Sequence, residues 1–297
     1  MAGAPRRMVV VNLISKVIQK AAIKTFPIWE RLGLHVLPAH YFYPVPSSTD
    51  LPDAFFDSVS DCVGVDWQRS VQQHYLREIF PRYSSEIEFS PNGGLSLVDT
   101  AVLHAMVRHV KPRKMVEIGS GHSTAITARA CAMNAREGHA CEFVAIEPYP
   151  SAALRAGFDG LTRLRVEKVQ QVPFDEVADC DILFVDSSHV VAMGGDVTFI
   201  QLEIVPRLKP GCVVHFHDIL LPGHYWKDWV RGPRYFWTEQ YLLQALLMFN
   251  TEFHVVWAAQ LMQREAEQDL RMAFPFYPGA GDPAQRLSSL WIQRRSQ

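Results

Sequence analysis

Met115-Val-Glu-Ile-Gly-Ser-Gly-His-Ser-Thr124 is the stretch on which the fold of this chain turns. Met115 to Ile118 is a short apolar run with one acid in it. It breaks into Gly119-Ser120-Gly121, and a helix-forming run from Thr124 to Met133 follows at once. A strand, a glycine turn and a helix N-terminus in that order let a nucleoside cofactor approach bare backbone. A dinucleotide fingerprint would carry a third glycine where Thr124 stands. Glu117 precedes the first glycine by two residues, and a carboxylate there repels a pyrophosphate but suits a cofactor bearing an ammonium group. Glu117, Gly119, Ser120, Gly121 and Ser123 are therefore the first candidate cofactor-binding residues.

Working outward, strand-like runs fall at Lys114 to Ile118, Glu142 to Glu147, Leu164 to Val169, Asp181 to Asp186 and Cys212 to Phe216. Helical stretches lie between them at Ser123 to Asn134, Ser151 to Gly157 and Val197 to Leu208. Strands alternating with helices predict βαβ units and a parallel sheet covered on both faces. After a helix at Thr238 to Phe249, two late strands at Phe253 to Ala258 and Leu290 to Gln293 break that rhythm. The expected fold is α/β and Rossmann-like: a doubly wound, mostly parallel seven-stranded sheet with a C-terminal antiparallel hairpin and an N-terminal helical cap.

Ligands of open α/β sheets sit outside the carboxyl ends of the strands. Glu147, ending the second strand, is where a ribose diol would be held, and Gln170 after the third lies where an adenine edge would be. The fourth strand delivers Asp186 and then His189 in Phe184-Val-Asp-Ser-Ser-His189. An imidazole there can take a proton from a substrate hydroxyl. The fifth ends in His215-Phe-His-Asp218, and alternation sends His215 and His217 to one face. Asp186, His217 and Asp218 could hold a divalent ion such as magnesium; a metal-free hydrogen-bond network is the other reading.

Taken together, Glu117-Ile-Gly-Ser-Gly-x-Ser-Thr124, Ile146-Glu-Pro148, Phe184-Val-Asp-x-x-His189, the Lys209-Pro-Gly211 turn and His217-Asp218 resemble class I S-adenosylmethionine-dependent methyltransferases. The likeness is to bacterial metal-dependent O-methyltransferases of sugars and natural products, over roughly residues 90 to 258. It implies S-adenosyl-L-methionine as cofactor, Asp186 as metal ligand and His189 as catalytic base. Relatives carry an acidic pair where this chain has His217-Asp218. The runs Pro222 to Trp229 and Arg234 to Trp237, rich in aromatic rings with polar edges, suit a sugar or oligosaccharide, a packed lid or dimer contact being the other reading; Tyr41 to Tyr43 are further candidates. A nicotinamide-dependent oxidoreductase and a non-catalytic partner-binding domain are the competing readings. Thr124, Glu117 and the late hairpin weigh against the first, and the Asp186–His189 pair against the second.

The 297 residues suffice for one large domain with an extension, read here as a cap over 1–88 and a methyltransferase domain over 89–297. A net charge of −2 gives no reason to expect a nucleic-acid partner. Five scattered cysteines without a C-x-x-C suggest a reducing, cytoplasmic compartment. No run is long and apolar enough to span a membrane. Residues 8–26 are expected to form a helix with a Lys16, Lys20, Lys24 stripe opposite Leu13, Ile14 and Val17, retained in the mature chain. Such a helix packs on the body or on a second subunit, so a homo-oligomer is expected; contact with a membrane surface is the other reading.

Overall fold

Seven strands build one sheet: β1 (Lys114–Ile118), β2 (Glu142–Ile146), β3 (Arg163–Arg165), β4 (Ile182–Val185), β5 (Val213–Phe216), β6 (Phe253–Ala258) and β7 (Leu290–Arg294). They are seen in a computed structural model that describes residues 6–47, 50–87, 94–282 and 286–296, without the side chains of 6–13. The strand order is β3-β2-β1-β4-β5-β7-β6. β1 to β5 run parallel, with Val116 opposite Val144 on one side and Leu183 on the other. β7 enters antiparallel between β5 and β6, which is the expected closing hairpin.

The central strands are apolar because both their faces are covered. All four residues of β4 and of β5 are buried. Trp257 and Trp291 face each other across the hairpin, both fully buried. From β1 the chain goes outward to β2 and β3, then crosses back to β4 on the other side. The reversal opens a crevice above the carboxyl ends of β1 and β4, where such sheets bind ligands.

The helix Leu97–Val110 has no counterpart among the sequence expectations, and its burial explains why. Every residue from Val98 to Arg108 is buried, so no polar face alternates with the apolar one. Its ends are well made. Ser96 Oγ accepts from the Asp99 amide at 3.0 Å, and Lys111 closes it in the left-handed region at φ 49°. Arg108 reaches Glu86, Asn134 and Glu137, and His104 Nε2 lies 2.9 Å from Glu86, tying the Phe80–Glu86 turn to this helix and to the helix His122–Arg136.

Other elements depart from expectation for local reasons. The strand expected over 164–169 is only Arg163–Arg165, and Val169–Gln171 forms a short 3-10 turn; at the edge of the sheet there is a neighbour on one side alone. The single helix expected over 197–208 becomes Asp196–Phe199, a wide turn at Ile200–Ile204 and a tight one at Val205–Arg207. Pro206 lacks the amide that a regular helix would need there.

Two compact units are seen, 1–56 and 57–297. The division expected after residue 88 lies outside the described residues; 57–87 belongs to the larger unit. In the smaller unit a helix runs from Arg6 to Arg31 and contains Pro27. Ile14, Val17, Ile18, Ile23 and Ile28 on it are exposed, while Leu13 lies among the residues whose side chains are not described. No helix among the described residues is long and apolar enough to cross a membrane.

Candidate functional site

Gly119 follows β1 with φ +78°, a conformation L side chains rarely adopt. A Cβ there would lie 1.7 Å from the Asp186 carbonyl oxygen, so the first turn of the crevice and the end of β4 touch backbone to backbone. Gly121 differs: a Cβ on it would meet nothing within 4 Å, and its missing side chain leaves space free in the cradle.

Two cavities open above these turns. The larger, about 460 Å³, is walled by Gly119, Glu147, Gln170 and Asp186 together with Lys168 and the loop Gly194–Asp196. The smaller, about 370 Å³, takes in Ser120, Gly121, Ser123, His217 and Asp218. Gly119, Glu147 and Asp186 line both, so the strand ends form one trough. Glu147 is fixed on its wall by amides of its own neighbourhood: Tyr149 N donates to Oε1 at 2.7 Å and Ser120 N to Oε2 at 3.3 Å. Gln170 Nε2 donates to Gly194 O at 3.1 Å, linking the third strand end to the loop after β4.

Glu117 is brought close to the trough but not into its wall. It is fully buried behind the turn, with Oε1 accepting from Ser123 Oγ at 2.5 Å and Oε2 without a partner among the described residues. Burial pushes its carboxyl up to about 8, against the hydrogen bonds of Ser123 and Thr124 and helped by the charge of Asp186. A carboxyl kept uncharged in this way holds the glycine turn and the helix N-terminus together.

His189 sits beside the trough and is almost fully buried, with φ +59°. Its Nε2 lies 3.3 Å from Asp186 Oδ1 and 3.7 Å from Asp218 Oδ2, and its Nδ1 lies 2.9 Å from Glu239 Oε2. Burial opposes charge on the ring, but the hydrogen bonds of Asp186 and Glu239 and the charges of Glu239 and Asp218 outweigh it and push the imidazole up to about 10. Burial likewise raises Asp186, yet the histidine bond and the His217 and His189 charges carry it below the usual carboxylate range. Glu239 is raised by burial, with His189 pulling the other way. With three carboxylates around one ring, the proton stays on the imidazole. Sequence alone does not single out Glu239: an acid at the first position of a helix, here Glu239–Leu247, ordinarily serves the helix dipole.

The metal reading of Asp186, His217 and Asp218 meets a physical obstacle. Asp186 and Asp218 both face the His189 ring nitrogen, and His217 Nε2 pairs with Asp218 Oδ1 at 3.4 Å. Ser288 Oγ also donates to Asp218 Oδ1 at 2.9 Å. The carboxylates are thus already arranged around an imidazole N–H. Among the described residues no group of three or more histidine, cysteine, aspartate or glutamate side chains is arranged to hold a metal ion; Asp186 and Asp218 are engaged with the His189 ring instead.

Aromatic rings extend from the histidine. Trp237 lies 4.5 Å from the His189 ring, and Tyr235 stacks on Trp237 at 4.8 Å and 5°. Trp229 meets Trp237 edge-on at 5.1 Å, and Trp226 meets Trp229 at 4.4 Å. Tyr235 remains partly exposed.

Residues 116–219, the segment holding the glycine turn, Glu147, Asp186, His189 and the His217-Asp218 pair, match the family model described as a methyltransferase domain. An uncharacterized protein of Archaeoglobus fulgidus is 27% identical over 170 residues, covering 50% of this chain and 72% of its own. Among solved structures, the O-methyltransferase TomG of Streptomyces achromogenes, in complex with S-adenosylmethionine, aligns with 13% identity over 78% of this chain and 92% of its own, at a TM-score of 0.43. An O-methyltransferase of Bacillus cereus aligns with 14% identity over 76% and 97%, at a TM-score of 0.41.

Proposed function

We infer that this chain, a class I S-adenosylmethionine-dependent methyltransferase, methylates a hydroxyl oxygen of a sugar, an oligosaccharide or a glycosylated natural product. The observation that carries the reading is His189 Nε2, held 3.3 Å from the Asp186 carboxylate on the cofactor trough while the ring packs 4.5 Å from Trp237. One imidazole thus stands between a nucleoside-sized trough and an aromatic shelf.

S-adenosylmethionine supplies, when bound, an electrophilic methyl group on its sulfonium. For the protein, the work is alignment and removal of one proton. Gly119, Ser120, Gly121 and Ser123 offer backbone and hydroxyl groups at a helix N-terminus, Glu147 would accept from ribose hydroxyls, and Gln170 would face the adenine. Glu117 acts from behind, by holding Ser123. Asp186 presents a negative charge at the meeting point of trough and histidine. His189 accepts the proton of the acceptor hydroxyl at Nε2 in the fraction of molecules whose ring has lost it. Tyr235, stacked on Trp237 and exposed on its other side, would offer a flat face to the C–H face of a sugar ring, with a polar edge for its hydroxyls. No step is assigned to a metal ion.

The five cysteines are all unpaired thiols, in keeping with a cytoplasmic enzyme. The exposed isoleucines of the Arg6–Arg31 helix support a homo-oligomer assembled through it; an unchanged mass by light scattering without residues 1–30 would remove that role. Calorimetric titration with S-adenosylhomocysteine and, separately, NAD tests the cofactor. Micromolar binding of the first alone is expected, and binding of NAD alone would overturn the reading.

A further inference from the structure

We propose that Glu239 is a positioning residue for the base: it holds the proton on His189 Nδ1 and thereby makes Nε2 the nitrogen that exchanges protons with the acceptor. The inference rests on the reading of His189 as the proton acceptor and adds to it a residue from outside the matched domain segment.

An imidazole presents two nitrogens, and which one carries the proton in the neutral ring is set by the stronger acceptor. At Nδ1 there is one carboxylate oxygen, Glu239 Oε2, at 2.9 Å. At Nε2 there are two oxygens, but farther off, Asp186 Oδ1 at 3.3 Å and Asp218 Oδ2 at 3.7 Å. Those two are also engaged elsewhere or open to the trough. Asp218 accepts from Ser288 Oγ at 2.9 Å and faces His217, and Asp186 lines both cavities. Glu239 is 1% exposed, and its other oxygen accepts from Gln201 Nε2 at 3.4 Å. Shielded from water, with the imidazole as its close partner, it is the acceptor at which the ring N–H is retained.

The backbone reinforces the pairing. The amides of Thr238 and Glu239 both donate to the His189 carbonyl, at 2.9 and 3.0 Å. Thr238 Oγ1 accepts from Val191 N at 2.8 Å. The same helix start therefore grips the histidine by its carbonyl and by its ring, and Trp237 closes one face. That grip sustains the left-handed φ of +59° at a residue that is not glycine. A pairing this local fixes the ring direction, so that Nε2 points to Asp186 and the trough.

The test uses the full chain with 15N-labelled histidine, His189 being identified by its absence from His189→Ala. In the wild type the Nδ1-bound proton should exchange with water at least tenfold more slowly than the Nε2-bound one, and in Glu239→Gln that difference should vanish. With labelled S-adenosylmethionine and a nucleoside-diphosphate hexose as probe, Glu239→Gln should lower the kcat reached on the high-pH plateau, where the ring is deprotonated in both proteins, tenfold or more and leave KM within about threefold. In a His189→Ala background the same substitution should change turnover less than twofold, because only a residue acting through His189 loses its effect when His189 is gone. Greater protection at Nε2 in the wild type, or an equal loss in both backgrounds, overturns the proposal. If Glu239→Gln does not fold, the exchange rates in the wild type decide the pairing by themselves. Failure to bind S-adenosylhomocysteine would sink the methyl-transfer reading while leaving the measured pairing intact, so the two failures are distinguishable.

Discussion

Gly119 and Asp186 meet backbone to backbone, so closely that a Cβ on the glycine would overlap the aspartate carbonyl oxygen. The contact joins the first and fourth strand ends, the two sides of the trough, and it exists because Gly119 has no side chain and adopts φ +78°.

Gly119→Ala therefore combines a left-handed alanine, unfavourable by roughly 1–2 kcal/mol, with a backbone collision that forces the strand ends apart. The expected result is a lower Tm and loss of S-adenosylhomocysteine binding, read by thermal melting and calorimetry. Gly121→Ala meets no protein atom and should leave Tm near the wild-type value while weakening the cofactor. Equal binding by both variants would remove the turn from the site.

Glu117→Gln tests the buried carboxyl. Its ordinary value is 4.5 and the fold pushes it up to about 8. Between those values the unfolded chain is ionised and the folded chain is not, so folding takes up a proton and wild-type stability falls as pH rises through that window. The amide variant has no such proton. Its Tm should rise relative to wild type between pH 5 and pH 8.5; an identical difference at both would show that Glu117 is not held neutral.

How much of this was legible in the sequence follows from how local each signal is. Met115 to Thr124 carries its strand, turn and helix start within ten residues, and alternation of β and α segments carried the sheet. The helix Leu97–Val110 escaped because burial on every side erases periodicity. Glu239 escaped because its partner, His189, is 50 residues away in sequence. The spacing of Glu117 places it at the cofactor site; spacing does not tell whether a side chain faces the crevice or the core, and here it faces Ser123. Asp186, His217 and Asp218 line one cavity, and His189 Nε2 lies near the carboxylates of both Asp186 and Asp218.

The pH profile follows from the same surroundings. A ring held up at about 10 carries both protons at neutral pH, so the basic form is a minority that grows with pH. The kcat/KM of the wild type should rise about tenfold per unit below that value and level off near it. His189→Ala should lose turnover by about a hundredfold or more and lose the slope as well. A flat wild-type profile from pH 7 to 9 would take His189 out of the role of base.

Chelation addresses the donor set. Because the Asp186 and Asp218 carboxylates already face an imidazole nitrogen, dialysis against EDTA should leave turnover within about twofold of untreated enzyme. A loss that magnesium restores would mean that His189 swings away and the carboxylates close on a cation, and the network described above would then belong only to the metal-free state.

Tyr235 offers the cleanest probe of the acceptor. It stacks on Trp237 at 4.8 Å and stays partly open to solvent, whereas Trp237 itself touches His189 and would disturb the base. A stacking face contributes about 0.5–1.5 kcal/mol, so Tyr235→Ala should raise the acceptor KM by roughly twofold to tenfold. S-adenosylhomocysteine affinity should be unchanged, since Tyr235 lines neither cavity of the trough. If KM for every sugar tested stays put while kcat alone falls, the shelf is packing around the histidine and is not the acceptor's binding face.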